Sequence, residues 1–367
     1  MANGQRRKLA FRILIIPLTL IAFALYMYFS EGITTIGTVF RTLNYKYVLC
    51  AFGVFTLGLL CEQASVAFMR HHYQKRFPFW YVTHSTLLAD FWELITPGTF
   101  AFGPITQVQC MNKQGIPPSK GAAVMLVNQS CSMISITVFP LFLVFMNISY
   151  LSERMNWILW VFFALAMSVN LATVFIYMFV PRQDKFFIKV GSGIIRFLHK
   201  IHIIRKEERR DVLLKKTEDQ VTKLKNNMVN LDYKAYEWII STLIMIGYRI
   251  CIYSVHYFSA LALGIDCTGK FFVLMAAQAI VNNISSALPI PGGLGITDMA
   301  ILLIFNPIIG NVSSVNFIML FYRIITYYYP LLLGAIMLFF KIPTGGGKLE
   351  RLDGYTEIGD QNEKTQH

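Results

Sequence analysis

The chain reads as an all-α, polytopic membrane protein, and three features of the sequence carry that reading. It is 55% hydrophobic and only 14% charged over 367 residues, where an average soluble domain carries roughly 25% charged residues. Its mean hydropathy is +0.51. Apolar runs recur along nearly its whole length, several near the ~20 residues that an α-helix needs to cross a bilayer. The formal net charge of +13 is concentrated between those runs. That placement is explained by membrane topology, so no nucleic-acid partner is expected.

The apolar runs lie at residues 11–29, 47–69, 79–95, 122–146, 157–180, 238–263, 271–287, 299–309 and 317–340. Arg6, Arg7, Lys8 and Arg12 resemble the basic start of a signal peptide, but no small-residue cleavage site follows, so a retained first span is expected. Arg70, Lys75 and Arg76 follow the second run, and Lys113 and Lys120 precede the fourth. Residues 181–234 carry fourteen Lys/Arg and seven Asp/Glu, and Lys341, Lys348 and Arg351 follow the last run. Loops 30–45, 147–156, 264–270 and 310–315 hold few basic residues. The positive-inside rule then places both termini in the cytoplasm.

This assignment sends two segments in and back through the same face. The 79–111 segment enters and leaves inside, with its tip at ITPGTFAFG, residues 95–103. The 271–309 segment enters and leaves outside, with its tip at LPIPGGLGITD, residues 288–298. Pro97, Gly98, Pro289, Pro291, Gly292, Gly293 and Gly295 cannot stay regular helix at such density. Within a bilayer such breaks survive only where protein or a wet cavity surrounds them. The expected architecture is about six full spans plus two re-entrant hairpins. Eight full spans keep the termini inside equally well.

A faint repeat relates the two hairpins. Pro97-Gly98 resembles Pro291-Gly292, and Gln129 and Arg323 each lie 32 residues beyond the first proline of their motif (129 − 97 and 323 − 291). Two such units of opposite topology form the inverted repeat of many transporters. Residues 1–342 then form one membrane domain, with 181–236 as a cytoplasmic amphipathic and basic helical insert. The glycine-rich, then polar, tail at 343–367 has the composition of disorder.

No Walker loop, dinucleotide fingerprint, zinc motif or nucleophile elbow is present. No catalytic residue, metal ligand or cofactor is expected. The six scattered cysteines read as small buried residues, and His71 and His72 as solvated loop residues. The informative residues are ionisable groups at membrane depth, which are costly in hydrocarbon and usually face a bundle interior or a water-filled path. They are Glu62, Asp90, Glu93, Arg249, His256, Asp298 and Arg323, with Gln129, Gln278, Asn282 and Asn283 as uncharged company. Asp90 and Glu93 share a helix face, as do Arg249 and His256. Each residue alone could serve a structural ion pair. Together they point to a polar cavity near the two tips, where an arginine fork holds phosphate and helix N-termini favour anions.

LPIPGGLGITD followed by LFYRIITYYYPLLLGAI resembles the C-terminal signature of the lysylphosphatidylglycerol synthetase transmembrane-region family, the flippase-like domain of the multiple peptide resistance factor. TPGTFAFGPITQVQCMNKQGIPPSKGAAVML is similar to the family's earlier Pro-Gly motif. The resemblance covers nearly all of the membrane domain. It departs at Asp298, where the family usually has Glu, and at Thr99, Phe100 and Ala101, where a basic residue and a Glu are common. It implies a translocase in a bacterial cell membrane, moving phosphatidylglycerol or its aminoacylated form. Full-length relatives add a soluble domain that transfers lysine from lysyl-tRNA. The short tail here holds no such domain, so lysyl transfer is not expected of this chain. Two other classes stay open: a membrane subunit that presents lipid to a separate synthase, and a solute or ion transporter. Partners in view are a phospholipid substrate, the membrane, a synthase subunit or a second copy of the chain.

Overall fold

A computed structural model describes residues 37–39, 41–95, 99–179, 188–189, 192–193, 212, 214–215, 218–219, 233–286 and 295–340. Among them all regular structure is helical. The expected first span at 11–29, most of the 181–236 insert and the 343–367 tail lie outside the described residues.

The first half runs through α1 (Tyr45–His71), α2 (Phe79–Ile95), α3 (Thr99–Lys113) and α4 (Pro118–Met146). A short α5 (Ile148–Ser152) and α6 (Trp157–Phe179) follow. The second half runs through α7 (Ala235–Ala262), α8 (Phe271–Ser286), α9 (Ile296–Ile309) and α10 (Val312–Arg323). A π-helical turn, Ile324–Tyr328, joins α10 to α11 (Tyr329–Met337) as one helix. Both halves therefore read long, short, short, long. The motif prolines differ by 194 (291 − 97), and adding 194 to Pro118 gives 312, the first residue of α10. The faint sequence repeat is thus matched by a repeat of elements.

Among the described residues, five helices are long and apolar enough to cross a membrane: Tyr45–His71, Lys120–Met146, Trp157–Phe175, Ala235–Ala262 and Val312–Met337. The legs α2, α3, α8 and α9 have 17, 15, 16 and 14 residues. At 1.5 Å per residue the described helices reach about 21–26 Å, against the ~30 Å hydrocarbon core. A helix that ends inside the bilayer leaves backbone groups needing cover from protein. Accordingly α8 is sheathed: every residue from Val273 to Val281 is buried.

Contacts at the helix ends sort the loops onto two faces. On one face, Tyr233 donates its hydroxyl to the Met69 carbonyl at 2.8 Å and Arg70 donates to Gln114 at 2.6 Å. Gln114 in turn donates to the Tyr81 carbonyl, 3.4 Å. The start of α2 and the end of α3 therefore meet, so this hairpin returns to the face it left. Trp80 packs edge-on against Phe340 on the same side. On the opposite face, the Asn44 N–H donates to the Ala262 carbonyl, 2.9 Å. Asn44 also caps α1 and Asn311 caps α10. In loop 264–270, Asp266 accepts from the hydroxyl and N–H of Thr268 at 2.6 and 3.0 Å, which holds its carboxyl below the usual range. The return at Gln114 holds for a re-entrant hairpin and for two full spans alike.

The bundle surface is apolar where lipid would lie. Phe142, Phe145, Phe162 and Leu165 are all exposed on α4 and α6. One expectation needs correction. His72 is not simply solvated: it stacks on Tyr233 and meets Glu237 at 3.2 Å. Arg70, counted among the charges that set the topology, has a packed setting of its own. It is fully buried, with Gln74 and Gln114 as acceptors and the Phe77 ring 4.5 Å from its guanidinium. Burial also pushes the Tyr233 phenol upward in this cluster. Of the six cysteines, all free, Cys50 is exposed and Cys61 half-buried, whereas the other four are buried.

Candidate functional site

The two halves enclose a cavity of about 350 Å3. It is built from the central turns of the long helices and the inner ends of the hairpin legs. α1 supplies Glu62, and α2 supplies Asp90 and Glu93 from one helical face, as their spacing of three dictates. Glu93 reaches the cavity past Gly103 of α3, where any Cβ would collide with its carboxylate. The three carboxylates are near enough to act on one another electrostatically. Glu62 also feels the charge of Arg249.

The second half supplies the cations. Arg249 on α7 is 8% exposed. It donates through Nη2 to Ser132 Oγ at 3.0 Å and through Nε to Ser135 Oγ at 3.5 Å, both on α4. Tyr248 lies beneath the guanidinium, 5.0 Å from ring centroid to Cζ. No carboxylate lies within 4.0 Å of Arg249 among the described residues. Arg323 has a different setting. It clasps Asp298 of α9 in a fork, Nε to Oδ1 at 2.7 Å and Nη2 to Oδ2 at 2.8 Å. Asp298 also accepts from the Gly295 N–H at 3.0 Å, capping α9. Gly295 has φ +82°, a conformation that side-chain-bearing residues rarely adopt. One aspartate thus fixes the end of the second tip and the arginine at the cavity wall.

The π turn follows Arg323 directly. Pro330 has no N–H to offer the Thr326 carbonyl four residues back, so regular helix cannot continue there. The Tyr329 N–H bonds instead to the Ile324 carbonyl, five residues back. The wider turn places Thr326, Tyr327 and Pro330 on the cavity wall. Such turns recur at functional sites.

Of the residues singled out from sequence, Glu62, Asp90, Glu93, Gln129, Asn282, Arg249 and Arg323 all line this cavity. Asp298 stands behind Arg323. Gly295 is at the N-cap of α9, while Pro97, Gly98, Pro289, Pro291, Gly292 and Gly293 lie outside the described residues. The flanks of both tips nonetheless meet here: Glu93 and Leu94 before the first, Ser285, Ser286 and Thr297 around the second. Ser285 and Thr297 are hydrogen-bonded at 2.9 Å, which holds the legs of the second hairpin together.

Three companions do not reach the cavity. His256 is fully buried between the rings of Phe305 and Tyr322, 4.7 and 4.4 Å away. Gln278 donates to the Tyr322 hydroxyl at 3.1 Å, and Asn283 accepts from Asn170 at 2.8 Å. These residues fasten helices together. Sequence reasoning missed the two serines that hold Arg249, and Asn170 at the wall. A signal existed for the serines: their spacing of three puts both hydroxyls on one face of α4.

The chemistry available is binding, with carboxylates on one wall and a phosphate-competent guanidinium on the other. No curated protein matches the chain. The family model described as Lysylphosphatidylglycerol synthase TM region matches residues 10–334. With five long apolar helices among the described residues, the chain is an integral membrane protein that belongs to the lysylphosphatidylglycerol synthase TM region family.

Proposed function

We propose that this protein is a phospholipid translocase for phosphatidylglycerol or its aminoacylated form, working in a bacterial cell membrane. The observation that carries the proposal is the charged cavity lined by the flanks of two Pro/Gly-broken hairpins inside an apolar-surfaced bundle. About 350 Å3 suits a polar headgroup and not two acyl chains with it. The chains would stay in the bilayer while the headgroup crosses. Arg249 is the group for the lipid phosphate, because its fork has no carboxylate partner among the described residues. Glu62, Asp90 and Glu93 are the groups for an ammonium on the headgroup. Arg323 positions rather than binds, since Asp298 holds it. The face bearing Lys75, Arg76 and Lys113 is assigned to the cytoplasm by the positive-inside rule.

The test is purified protein in vesicles carrying fluorescent phosphatidylglycerol or its lysyl ester, with a membrane-impermeant quencher added outside. A translocase lets the quencher reach lipid from both leaflets. Quenching confined to the outer leaflet, as in protein-free vesicles, would rule the function out.

A further inference from the structure

The cavity holds a charge imbalance that its own residues do not resolve. Glu62, Asp90 and Glu93 open into it. Arg323 is neutralised by Asp298 at 2.7 Å, which leaves Arg249 as the cation facing the three carboxylates. With these four groups ionised, the sum is −3 + 1 = −2. Two independent observations show that the groups await a partner. Asp90 Oδ2 is out of contact with solvent and meets no hydrogen-bond donor among the described residues. Arg249, more than nine-tenths buried, engages Ser132 and Ser135 through two nitrogens, leaving Nη1 without an acceptor among the described residues. Uncompensated charge is strongly disfavoured in a membrane interior. What compensates it must be either a cation or protons.

We propose that Asp90, with Glu62 and Glu93 around it, carries protons in the empty cavity and exchanges them for the ammonium of an entering headgroup, coupling lipid movement to proton movement in the opposite direction. The proposal rests on the translocase reading. Asp90 is the best placed of the three. Its charged neighbours are Glu62 and Glu93, whereas Arg249 acts on Glu62. The groups facing it across the cavity are Tyr248 and Arg249 of α7, then Tyr322, Arg323 and Tyr327 of the last helix. As an ammonium enters, one carboxylic acid releases its proton to water on the side of entry, and the headgroup phosphate settles on Arg249. When the headgroup leaves on the far side, that carboxylate takes a proton from the water there. A lysyl headgroup brings two ammoniums and one phosphate, net +1, so the release of one proton leaves the charge in the cavity unchanged through the cycle.

The experiment uses the full chain in phosphatidylcholine vesicles with a pH gradient of about one unit, the membrane potential being clamped at zero by potassium and valinomycin. Fluorescent lysyl-phosphatidylglycerol should accumulate in the leaflet on the acidic side, about tenfold per proton exchanged, since each factor of ten in proton activity is a factor of ten in the coupled equilibrium. Fluorescent phosphatidylglycerol, which lacks the ammonium, should not follow the gradient. Rapid movement of the lysyl lipid to an even distribution would overturn the coupling and leave the translocase standing. Absence of movement for both lipids would overturn both. Asp90→Asn should bring the final distribution toward even, and a tenfold ratio retained in that variant would overturn the assignment. If Asp90→Asn does not fold, the wild-type protein decides alone. Lysyl-lipid binding measured calorimetrically in two buffers of different ionisation heat should differ between them, and identical heats would overturn the exchange.

Discussion

Arg323 and Asp298 are the pair on which the second half of the site rests. Removing one partner from a buried ion pair costs about 3–5 kcal/mol. Asp298 keeps 21% side-chain exposure, so Arg323→Ala is expected near 3 kcal/mol, read as a lowered unfolding midpoint in detergent. Arg323→Lys should recover part of the stability, because an ammonium satisfies only one of the two carboxylate oxygens at a time. Arg249→Lys should behave differently. Its guanidinium has no carboxylate partner among the described residues to strand, so stability should change by less than about 1 kcal/mol while lipid movement falls severalfold. Equal effects of the two lysine variants on stability would contradict the division of roles. At this scale the sequence was informative where charge was concerned. An ionisable residue at membrane depth needs a reason to be there, and that rule located Glu62, Asp90, Glu93, Arg249 and Arg323. It could not separate His256 from them, because ring packing by Phe305 and Tyr322 leaves no trace in spacing. It also passed over Arg70, whose position beside a span end made it look like a topological charge.

The hairpin legs are held by close approach of backbones, and this can be probed with single methyl groups. A Cβ on Gly334 of α11 would lie 2.6 Å from Phe91 Cβ and collide with the Leu87 carbonyl of α2. Gly334→Ala should therefore destabilise by about 1–3 kcal/mol through overpacking. Gly53→Ala on the exposed side of α1, where nothing lies within 4 Å, should be neutral or slightly stabilising by helix propensity. Thermal unfolding of the two variants side by side checks this, and a neutral Gly334→Ala would contradict the packing. Gly103→Ala is a third case. It meets the carboxylate end of Glu93, which can swing aside, so lipid movement should suffer more than the unfolding midpoint. The proline and glycine breaks were readable as breaks, since no such density stays helical. The π turn at Ile324–Tyr328 was not, although Pro330 was visible, because proline alone does not say how a helix absorbs it.

Across the whole molecule, two four-helix units of like element order meet at one cavity, and the loops between them fall on two faces. Cysteine-substitution labelling on a background lacking the native cysteines should find Lys75→Cys and Lys113→Cys protected in intact cells and Thr268→Cys reactive to an impermeant reagent. The reverse pattern would invert the orientation. The architecture was legible because periodic charge and apolar length constrain the topology, and the Gln114 contacts with Arg70 and Tyr81 bear out the returning first hairpin. The central claim is that the cavity between the units is the headgroup's path. Ser286 lines it, and its hydroxyl bonds only to the Asn283 carbonyl of its own helix among the described residues, so Ser286→Cys should fold and function. Lipid movement in vesicles should stop when that cysteine carries a bulky thiol adduct, and should persist when the same adduct sits at Phe145→Cys on the lipid-facing surface. Undiminished movement with Ser286→Cys fully modified would contradict the account.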